Sequence, residues 1–365
     1  MNDFKAFIER LKEAVHIEDI IAETGNLTLV RNGKYFRTKE HDSLSIDPER
    51  GWYEWYAKAD TPGARGDVLE WLQHHGGFPD FMEAVRFLSD KTGIRYQWSE
   101  EETRRYRVKR RRYDTLTLIA NYLAEVLWQD AGATALEYAR GRGWDDETIK
   151  AARLGYWDWD LAKGLRGHLQ MHEVDLSHPA VVSILGYRGN VLSWAEKWEI
   201  PRNRIQVDWI NSNKVPGAPG GLLIYPHYER GKCVYLSGRK LEWLPESQYP
   251  KSWNQRTTFV GGRQVYWNHV AVRDYVVVVE GQGDAVSLGQ WGIPAVALAG
   301  TKADDNLIAQ LRGMKQVYVA LDSDAAGRAG MQSLAEALGA GTPVVTWPLG
   351  GDANDWLKTG ATGKS

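Results

Sequence analysis

The fold is decided by two stretches, YVVVVEGQGDAVSLGQ at residues 275–290 and QVYVALDSDAAGRAGM at residues 316–331. In each stretch an apolar run of strand length ends in an acidic residue, and a helical pattern follows it. Further apolar runs predict strands at residues 295–298 and 343–347. Strands that alternate with short helices are typical of a mostly parallel sheet. The sequence therefore predicts an α/β domain over residues 273–361.

Carboxylates follow several of these predicted strands. Parallel sheets bind ligands beyond the carboxyl ends of their strands, and residues two apart in an extended chain point to the same side. We therefore predict catalytic metal ligands at this edge, namely Glu280, Asp322 and Asp324. Two further acids, Asp284 and Asp352, are expected to assist in binding the metal. Oxygen ligands favour Mg²⁺ or Mn²⁺ over zinc, and such sites serve phosphoryl or nucleotidyl transfer. As an alternative, a single acid in such a position often only caps the following helix, which could apply to Asp284 and Asp324.

Three motifs in this region resemble the TOPRIM domain shared by primases, topoisomerases and some nucleases. They are Glu-Gly-x-x-Asp at residues 280–284, Gly300-Thr301, and Asp-x-Asp-x-x-Gly-Arg at residues 322–328. The sequence GDAN at residues 351–354 is similar to a later acidic segment of that domain, with Asn354 where the family has an acid. The resemblance implies that the acids named above form a divalent metal site.

The flanking sequence resembles the polymerase domain of DnaG-type DNA primases. The matching motifs are YARGRG at residues 138–143, LIYP at residues 223–226, SGRKL at residues 237–241 and YPKSWN at residues 249–254. The resemblance implies a first subdomain of the primase core at residues 114–272. It also implies that Arg239, Lys240 and Lys251 bind the triphosphate or the template backbone, because phosphates need positive charge opposite the metal. The alternative is that these are ordinary surface bases.

Residues 1–98 resemble the zinc-ribbon domain of the same family without its zinc ligands. The four ligand positions, which are cysteines and one histidine in the family, are occupied here by Thr38, His41, Trp55 and Lys58. The whole chain has one cysteine, Cys233, so no cysteine-cluster zinc site can form. We predict a zinc-ribbon-like α+β domain without zinc, in which an aromatic core replaces the metal because small domains need extra stabilisation. The aromatic residues are Trp52, Tyr53, Trp55 and Tyr56.

A basic segment is the main candidate for contact with nucleic acid. Seven of the nine residues from 104 to 112 are Lys or Arg, without apolar periodicity, so we predict an exposed basic linker over residues 99–113. Nucleic-acid contact and a merely solvated helix face are both open interpretations. The predicted contacts are Arg104, Arg105, Arg107, Lys109 and Arg110, with Lys58 and Arg65 in the N-terminal domain. Because the net charge of −2 gives no overall attraction, local clustering must provide it.

Together these features predict an α/β and α+β multidomain DNA primase, a nucleotidyltransferase that makes short RNA primers. Its expected partners are single-stranded DNA template, nucleoside triphosphates and possible contact in trans with a replicative helicase, and its expected cofactor is Mg²⁺ or Mn²⁺, with no zinc. A TOPRIM-type nuclease and a non-catalytic single-stranded-DNA-binding protein are the alternatives. No apolar run reaches the roughly 20 residues that cross a bilayer, so we expect a cytoplasmic protein without membrane contact. Because the sequence stops soon after Trp356, we expect a phage or mobile-element origin.

Overall fold

The computed structural model contains two compact units, Met1–Tyr106 and Arg107–Ser365. The described residues are 3–59, 63–78, 81–96, 100–229, 231–241, 251–262, 264–272, 275–298, 303–339, 341–347 and 351–360. Among them, no helix combines the length and the apolar composition that a bilayer-spanning segment needs. The mixed α/β and α+β class that the sequence predicts is confirmed.

The N-terminal unit is an antiparallel sheet packed against helices. Its strands, hydrogen-bonded in chain order, are β1 (Leu29–Asn32), β2 (Tyr35–Thr38), β3 (Leu44–Asp47), β4 (Trp52–Trp55) and β5 (Arg65–Gly66). Its helices are α1 (Asp3–Glu13), α2 (Ile17–Gly25), α3 (Val68–His74) and α4 (Phe81–Thr92). Helix α3 begins after Asp67, whose carboxylate accepts hydrogen bonds from the amides of Leu69 and Glu70, two groups that a helix start leaves unpaired. Buried side chains of both layers, such as Leu11 and Ile46, form one core.

The basic segment is helical. Helix α5 runs from Glu100 to Leu127 and includes all of residues 104–112. Lys and Arg are good helix formers, and Glu101 pairs with Arg104 and Arg105 at spacings of three and four residues. Most of these bases are exposed, as expected, and they form the solvated helix face that was the alternative interpretation of the run. The role of residues 99–113 as a linker stays a prediction.

The first part of the C-terminal unit is built around an antiparallel sheet with strand order β11-β10-β9-β6. Its elements after α5 are α6 (Ala133–Gly141), α7 (Asp146–Ala151), β6 (Gly155–Trp157), α8 (Ala162–Met171), α9 (Pro179–Leu185), β7 (Tyr187–Arg188), α10 (Val191–Lys197), α11 (Val207–Ser212), β8 (Lys214–Val215), β9 (Leu222–Glu229), β10 (Lys232–Lys240), β11 (Ser252–Asn254) and α12 (Thr257–Val260). Strand β9 is buried on both faces, since successive side chains alternate between two cores. Leu222 and Ile224 pack in the core that contains Leu116 of α5, whereas Leu223 and Tyr225 pack in another core.

The second part of the C-terminal unit is a mostly parallel sheet with strand order β12-β14-β13-β15. Its elements are β12 (Tyr266–Trp267), β13 (Tyr275–Val279), α13 (Gln282–Gln290), β14 (Ala295–Ala297), α14 (Asp305–Arg312), β15 (Gln316–Val319), α15 (Ala325–Leu338) and α16 (Ala353–Lys358). Strand β13 is parallel to both β14 and β15, whereas β12 is antiparallel to β14. The strand predicted at residues 343–347 is represented by one parallel bridge between Val344 and Val319. The predicted alternation of parallel strands and helices is confirmed.

Candidate metal and nucleotide site

The acids that follow β13 and β15 emerge at the same edge of the parallel sheet. Val278 and Val319 are paired neighbours, and the amide of Ala320 donates to the carbonyl of Val278 at 2.8 Å. Glu280 lies two residues beyond Val278 and Asp322 lies three residues beyond Val319, so both acids follow the carboxyl ends of their strands. The structure thus brings these two predicted ligands to one end of two adjacent strands.

Three further acids surround this edge in different local settings. Asp324 caps α15 by accepting from the amide of Gly327 at 2.7 Å, and Asp352 caps α16 by accepting from the amide of Asp355 at 2.7 Å. Asp284 lies inside α13, where it is buried and accepts from the amide of Asn354 at 3.3 Å. The alternative interpretation, that these acids cap helices, is therefore correct for Asp324, which caps α15. It is wrong for Asp284, which lies within α13.

The carboxylates form one electrostatic cluster. Burial raises the pKa of Asp322 to about 7, and repulsion from Glu280, Asp352 and Asp324 raises it in the same direction. Burial likewise raises the pKa of Glu280, with Asp324 adding to the shift. For Asp284, burial and then the charges of Asp352 and Asp322 move the pKa well above its ordinary value. Crowded acids of this kind are stabilised in their charged form by a bound cation.

The donor set fits a hard divalent cation in an open site. Within the described part of the chain, no three His, Cys, Asp or Glu side chains stand ready as a complete ligand group. Mg²⁺ commonly uses only one or two carboxylates and completes its coordination with water and substrate phosphates. A few carboxylate oxygens at an open sheet edge, each with a raised pKa, match this kind of site.

Glycines leave the acidic turns room to form. A Cβ atom added at Gly327 would lie 2.1 Å from the carbonyl oxygen of Asp322, and one added at Gly281 would lie 2.8 Å from a carboxylate oxygen of Asp284. Real Cβ atoms do not approach other atoms so closely, so any other residue would displace the chain or the acid. Steric crowding therefore explains why glycine occupies these two positions of the acidic motifs.

Arg142, in the loop after α6, lies beside the acidic turn, and Arg239 of the antiparallel sheet shares an electrostatic neighbour, Tyr225, with Asp284. Burial raises the pKa of Tyr225 in β9, while the charges of Arg142 and Arg239 oppose this shift and that of Asp284 adds to it. Both arginines and Asp284 are therefore within electrostatic reach of one tyrosine. A Cβ atom added at Gly283 would lie 3.1 Å from the guanidinium of Arg142, which places this arginine directly beside the acidic turn.

Arg142 lies in the motif at residues 138–143, but no feature of the sequence marks it as a site residue. The neighbouring Arg140 makes a bidentate ion pair with Asp146 at the surface. The local sequence does not show which of the two arginines belongs to the site. Contacts with residues distant in the sequence determine which of the two arginines lies near the acids. Asn354 donates its side-chain amide to the carbonyl of Arg142 at 2.8 Å, so the residue that replaces a family acid fixes the loop that carries this arginine.

The two predicted lysines of the site are neighbours at the end of β10. The amide of Lys240 donates to the carbonyl of Lys251 at 2.8 Å, and Arg239 pairs with Ser252 across the two strands. This arrangement groups three bases on adjacent chain segments, and their phosphate-binding role stays a prediction. The motif residues Tyr249, Pro250, Gly300 and Thr301 lie outside the described residues.

The four positions that correspond to zinc ligands still contact one another in the N-terminal unit. The Thr38 hydroxyl is hydrogen-bonded to the backbone of His41, whose ring centre is 5.0 Å from that of Trp55. The Lys58 ammonium lies 3.7 Å from the Trp55 ring centre, a cation–π geometry. Trp55 in turn stacks on Trp71 with ring centres 5.9 Å apart. An aromatic and cationic cluster thus occupies the region where the family has its metal ligands.

The predicted aromatic core is right for two residues and wrong for two. Tyr53 and Trp55 are buried, whereas Trp52 and Tyr56 are 45% and 53% exposed. Strand alternation is the cause for β4, because residues 53 and 55 share the inner face. Trp52 and Tyr56 are consequently available for stacking, and in the same unit Arg65 is exposed and Lys58 is half-buried.

The bases of α5 form an exposed helix face with local partners. Arg105 lies 2.7 Å from Glu101, Arg110 lies 3.9 Å from Asp114, and the ammonium of Lys109 lies 5.3 Å from the Tyr113 ring centre. Exposed pairs of this type contribute little stability, so they can exchange for phosphates at small cost. Contact of Arg104, Arg105, Arg107, Lys109 and Arg110 with nucleic acid stays a prediction.

A pH dependence of stability follows from the raised pKa of Asp322. In metal-free solution the folded chain holds a proton on Asp322 that the unfolded chain has released, so this contribution to stability is complete below pH 4 and is lost as pH rises through about 7. Asp322→Asn has no titratable group at this position. Between pH 4 and 8, the free energy of unfolding of the wild type should therefore fall by about 2 kcal/mol more than that of Asp322→Asn, after allowance for partial exposure. Urea unfolding with EDTA measures the difference, and added Mg²⁺ should remove most of it at pH 8. An equal pH response of both proteins would contradict the clustering.

Comparison with known proteins supports the resemblance noted in the sequence. A family model described as Toprim-like matches residues 277–357. The chain is 24% identical over 374 residues to a DNA primase of Clostridium acetobutylicum, covering 96% of this chain and 56% of that protein. It is 28% identical to a DNA primase of Deinococcus radiodurans, covering 89% of this chain and 52% of that protein. The chain therefore spans just over half the length of these relatives.

Solved structures give the same result for the fold. The chain is similar to the zinc-binding and RNA polymerase domains of the Aquifex aeolicus primase, with a TM-score of 0.50 and 21% identity over 97% of this chain and 82% of that one. It is also similar to the RNA polymerase domain of the Mycobacterium tuberculosis primase in complex with DNA, with a TM-score of 0.53 and 23% identity over 68% of this chain and 77% of that one. At such identities the likeness shows the fold.

Proposed function

We propose that this chain, a relative of the DnaG-type DNA primases in sequence and in fold, synthesises short RNA primers on single-stranded DNA. In this proposal it is a nucleotidyltransferase that joins nucleoside triphosphates in a metal-dependent reaction. The observation that supports it most is the position of Arg142 beside the acidic turn of the parallel sheet, with Arg239 and Asp284 both within electrostatic reach of Tyr225. Acids for a metal and arginines for phosphates at one edge are what nucleotidyl transfer requires.

The residues of this site have distinct proposed roles. Glu280, Asp322 and Asp324 would bind Mg²⁺ or Mn²⁺, with Asp284 and Asp352 supporting them from the sides. Such an ion lowers the pKa of an attacking hydroxyl and neutralises the charge of the leaving pyrophosphate. The positions of the acids would determine where the positive charge of the metal lies relative to the arginines.

The bases would bind the substrates. Arg142 and Arg239 can each form two parallel hydrogen bonds with a phosphate, which fixes the triphosphate in position as well as neutralising it. Lys240 and Lys251, as point charges at the end of β10, suit the more variable template backbone. In this arrangement the bound nucleotide would lie between the basic side chains and the acids.

The N-terminal unit and α5 have proposed roles in holding the template. A related primase catalytic domain has been solved bound to single-stranded DNA. Here the exposed rings of Trp52 and Tyr56 could stack on bases, while Lys58 and Arg65 supply positive charge. We further propose that this unit folds without zinc, supported by the packed cluster around Trp55. A replicative helicase acting in trans and a cytoplasmic location stay predictions.

The test is incubation of the chain with single-stranded templates, labelled nucleoside triphosphates and Mg²⁺ or Mn²⁺. We expect labelled products of a few nucleotides to accumulate only when template, nucleotides and metal are all present. Shortening of the template would support the alternative TOPRIM-type nuclease instead. Retarded migration of the template without any new or shortened product would support a non-catalytic single-stranded-DNA-binding protein. Either of these two results would overturn the proposal.

A further inference from the structure

A buried chain of hydrogen bonds connects the antiparallel sheet to the turn that carries Glu280. His227 in β9 bonds through Nδ1 to the carbonyl of Val265 at 3.0 Å and through Nε2 to the hydroxyl of Ser237 in β10 at 2.8 Å. The side-chain amide of Gln282, at the start of α13, donates to the same hydroxyl at 3.1 Å. His227 and Ser237 are each 1% exposed. These groups belong to three elements that meet only in the folded chain.

For a neutral His227 ring, the partners fix the direction of each hydrogen bond in this network. The carbonyl of Val265 can only accept, so Nδ1 of His227 carries the proton and Nε2 accepts from the Ser237 hydroxyl. The hydroxyl oxygen then accepts from the amide of Gln282, which can only donate through its nitrogen. The imidazole ring and the Ser237 hydroxyl are thus both satisfied in one arrangement. A buried network that is fully satisfied favours a single conformation.

Two members of this hydrogen-bonded network, Ser237 and Gln282, lie close in sequence to proposed site residues. Ser237 and Arg239 are two apart in β10 with regular pairing to β9 on both sides, so their side chains project from the same face of the strand. Gln282 is two residues after Glu280 in the turn between β13 and α13. The link between Ser237 and Gln282 therefore connects the strand that carries a phosphate-binding arginine to the turn that carries a metal ligand.

We infer that Gln282, held through Ser237 and His227, is a positioning residue that sets the location of Glu280 relative to Arg239. This inference rests on the proposed function for its consequence in catalysis. Loss of the hydrogen bond between Gln282 and Ser237 removes neither Glu280 nor Arg239 from the protein. It does allow the turn after β13 to shift relative to β10. Removal of residues that orient metal ligands indirectly typically lowers metal affinity or activity by about 10–100-fold.

The chain contains a matched control for the loss of a buried serine. Ser183 in α9 is 3% exposed, accepts from the side-chain amide of Gln255 at 2.6 Å and donates to the carbonyl of Ala180 at 2.7 Å. It is therefore a buried serine bonded to a glutamine amide, as Ser237 is, but its partners are not in the turns that carry the acids. Ser183→Ala should reproduce the general cost of removing a buried hydroxyl.

The experiment compares Ser237→Ala, Gln282→Ala, their double variant, Ser183→Ala and the rescue variant Ser237→Thr in the full chain. Mn²⁺ affinity is measured by calorimetry, and kcat and KM for nucleoside triphosphate are measured in primer synthesis. We expect Ser237→Ala and Gln282→Ala each to weaken Mn²⁺ binding and lower kcat about tenfold. The double variant should be no worse than either single variant, because one link is lost in all three. Ser183→Ala should leave both quantities near wild type, and Ser237→Thr should restore them.

Two results would overturn the inference. One is a Ser237→Ala variant whose Mn²⁺ affinity equals that of Ser183→Ala, and the other is a double variant whose loss is the product of the single losses. If the wild type makes no primer on any template, the proposed function fails, whereas the Mn²⁺ measurements still decide on the positioning role.

Discussion

Replacing both Asp322 and Asp324 with asparagine should reduce primer synthesis by at least about a thousandfold, a loss of roughly 4 kcal/mol in transition-state stabilisation. The reason is loss of charge rather than loss of shape. Asparagine caps helices about as well as aspartate, so α15 should still begin at residue 324. At residue 322 a neutral amide relieves repulsion from Glu280 and Asp352, so the metal-free variant should be at least as stable as the wild type at pH 8. Initial rates of primer synthesis and urea unfolding measure the two effects.

Asp304→Asn is the matched control for this pair. Asp304 caps α14 in the same part of the chain by accepting from the amide of Leu307 at 2.8 Å, as Asp324 does for α15. It should keep full activity, because it caps a helix without belonging to the acid cluster. If the Asp322→Asn/Asp324→Asn protein still makes primers at near wild-type rates, these acids are not the metal ligands.

The second large effect concerns the N-terminal unit. Trp55→Ala should destabilise this unit by about 3–5 kcal/mol, because it leaves a cavity and removes the contacts with His41, Trp71 and Lys58. EDTA, in contrast, should leave the unit folded. Since the chain has two compact units, hydrogen exchange read by mass spectrometry over residues 44–72 measures the unit separately from the rest.

Trp52→Ala provides the control for the loss of a tryptophan from the same strand. Trp52 is 45% exposed, so its replacement should change stability by less than about 0.5 kcal/mol. The zinc-free account fails if chelation alone makes residues 44–72 exchange rapidly, or if elemental analysis finds one zinc per chain.

The parallel sheet and its acids were predictable because their signals are local. The run Val276–Val279 is apolar and β-branched, and Glu280 follows it directly. The same pattern precedes Asp322, so both the strands and the edge at which the acids emerge could be derived without knowledge of packing. The strand expected at residues 343–347 was overestimated, since only Val344 forms a bridge.

The parts that were missed depend on contacts between residues that are distant in the sequence. Arg142 reaches the acids because Trp144 donates to the hydroxyl of Ser287 at 2.9 Å and Asn354 holds the Arg142 carbonyl, contacts that no local pattern contains. Strand alternation predicts that Trp52 is exposed, whereas the run of four aromatics close in sequence suggests a single buried cluster. The sequence of the basic segment predicts its exposure but not its helical structure, because an exposed helix has no apolar stripe to detect.

The most direct test of the central claim, that acids from adjacent strand ends bind one divalent cation, is an anomalous difference map from crystals soaked in Mn²⁺. The account predicts a peak at coordination distance, roughly 2.0–2.3 Å, from carboxylate oxygens of Glu280 and of Asp322 or Asp324. Crystals of Asp322→Asn/Asp324→Asn should lack this peak. A saturating soak that leaves this edge of the sheet without a peak, while Mn²⁺ binds elsewhere on the chain, would contradict the account.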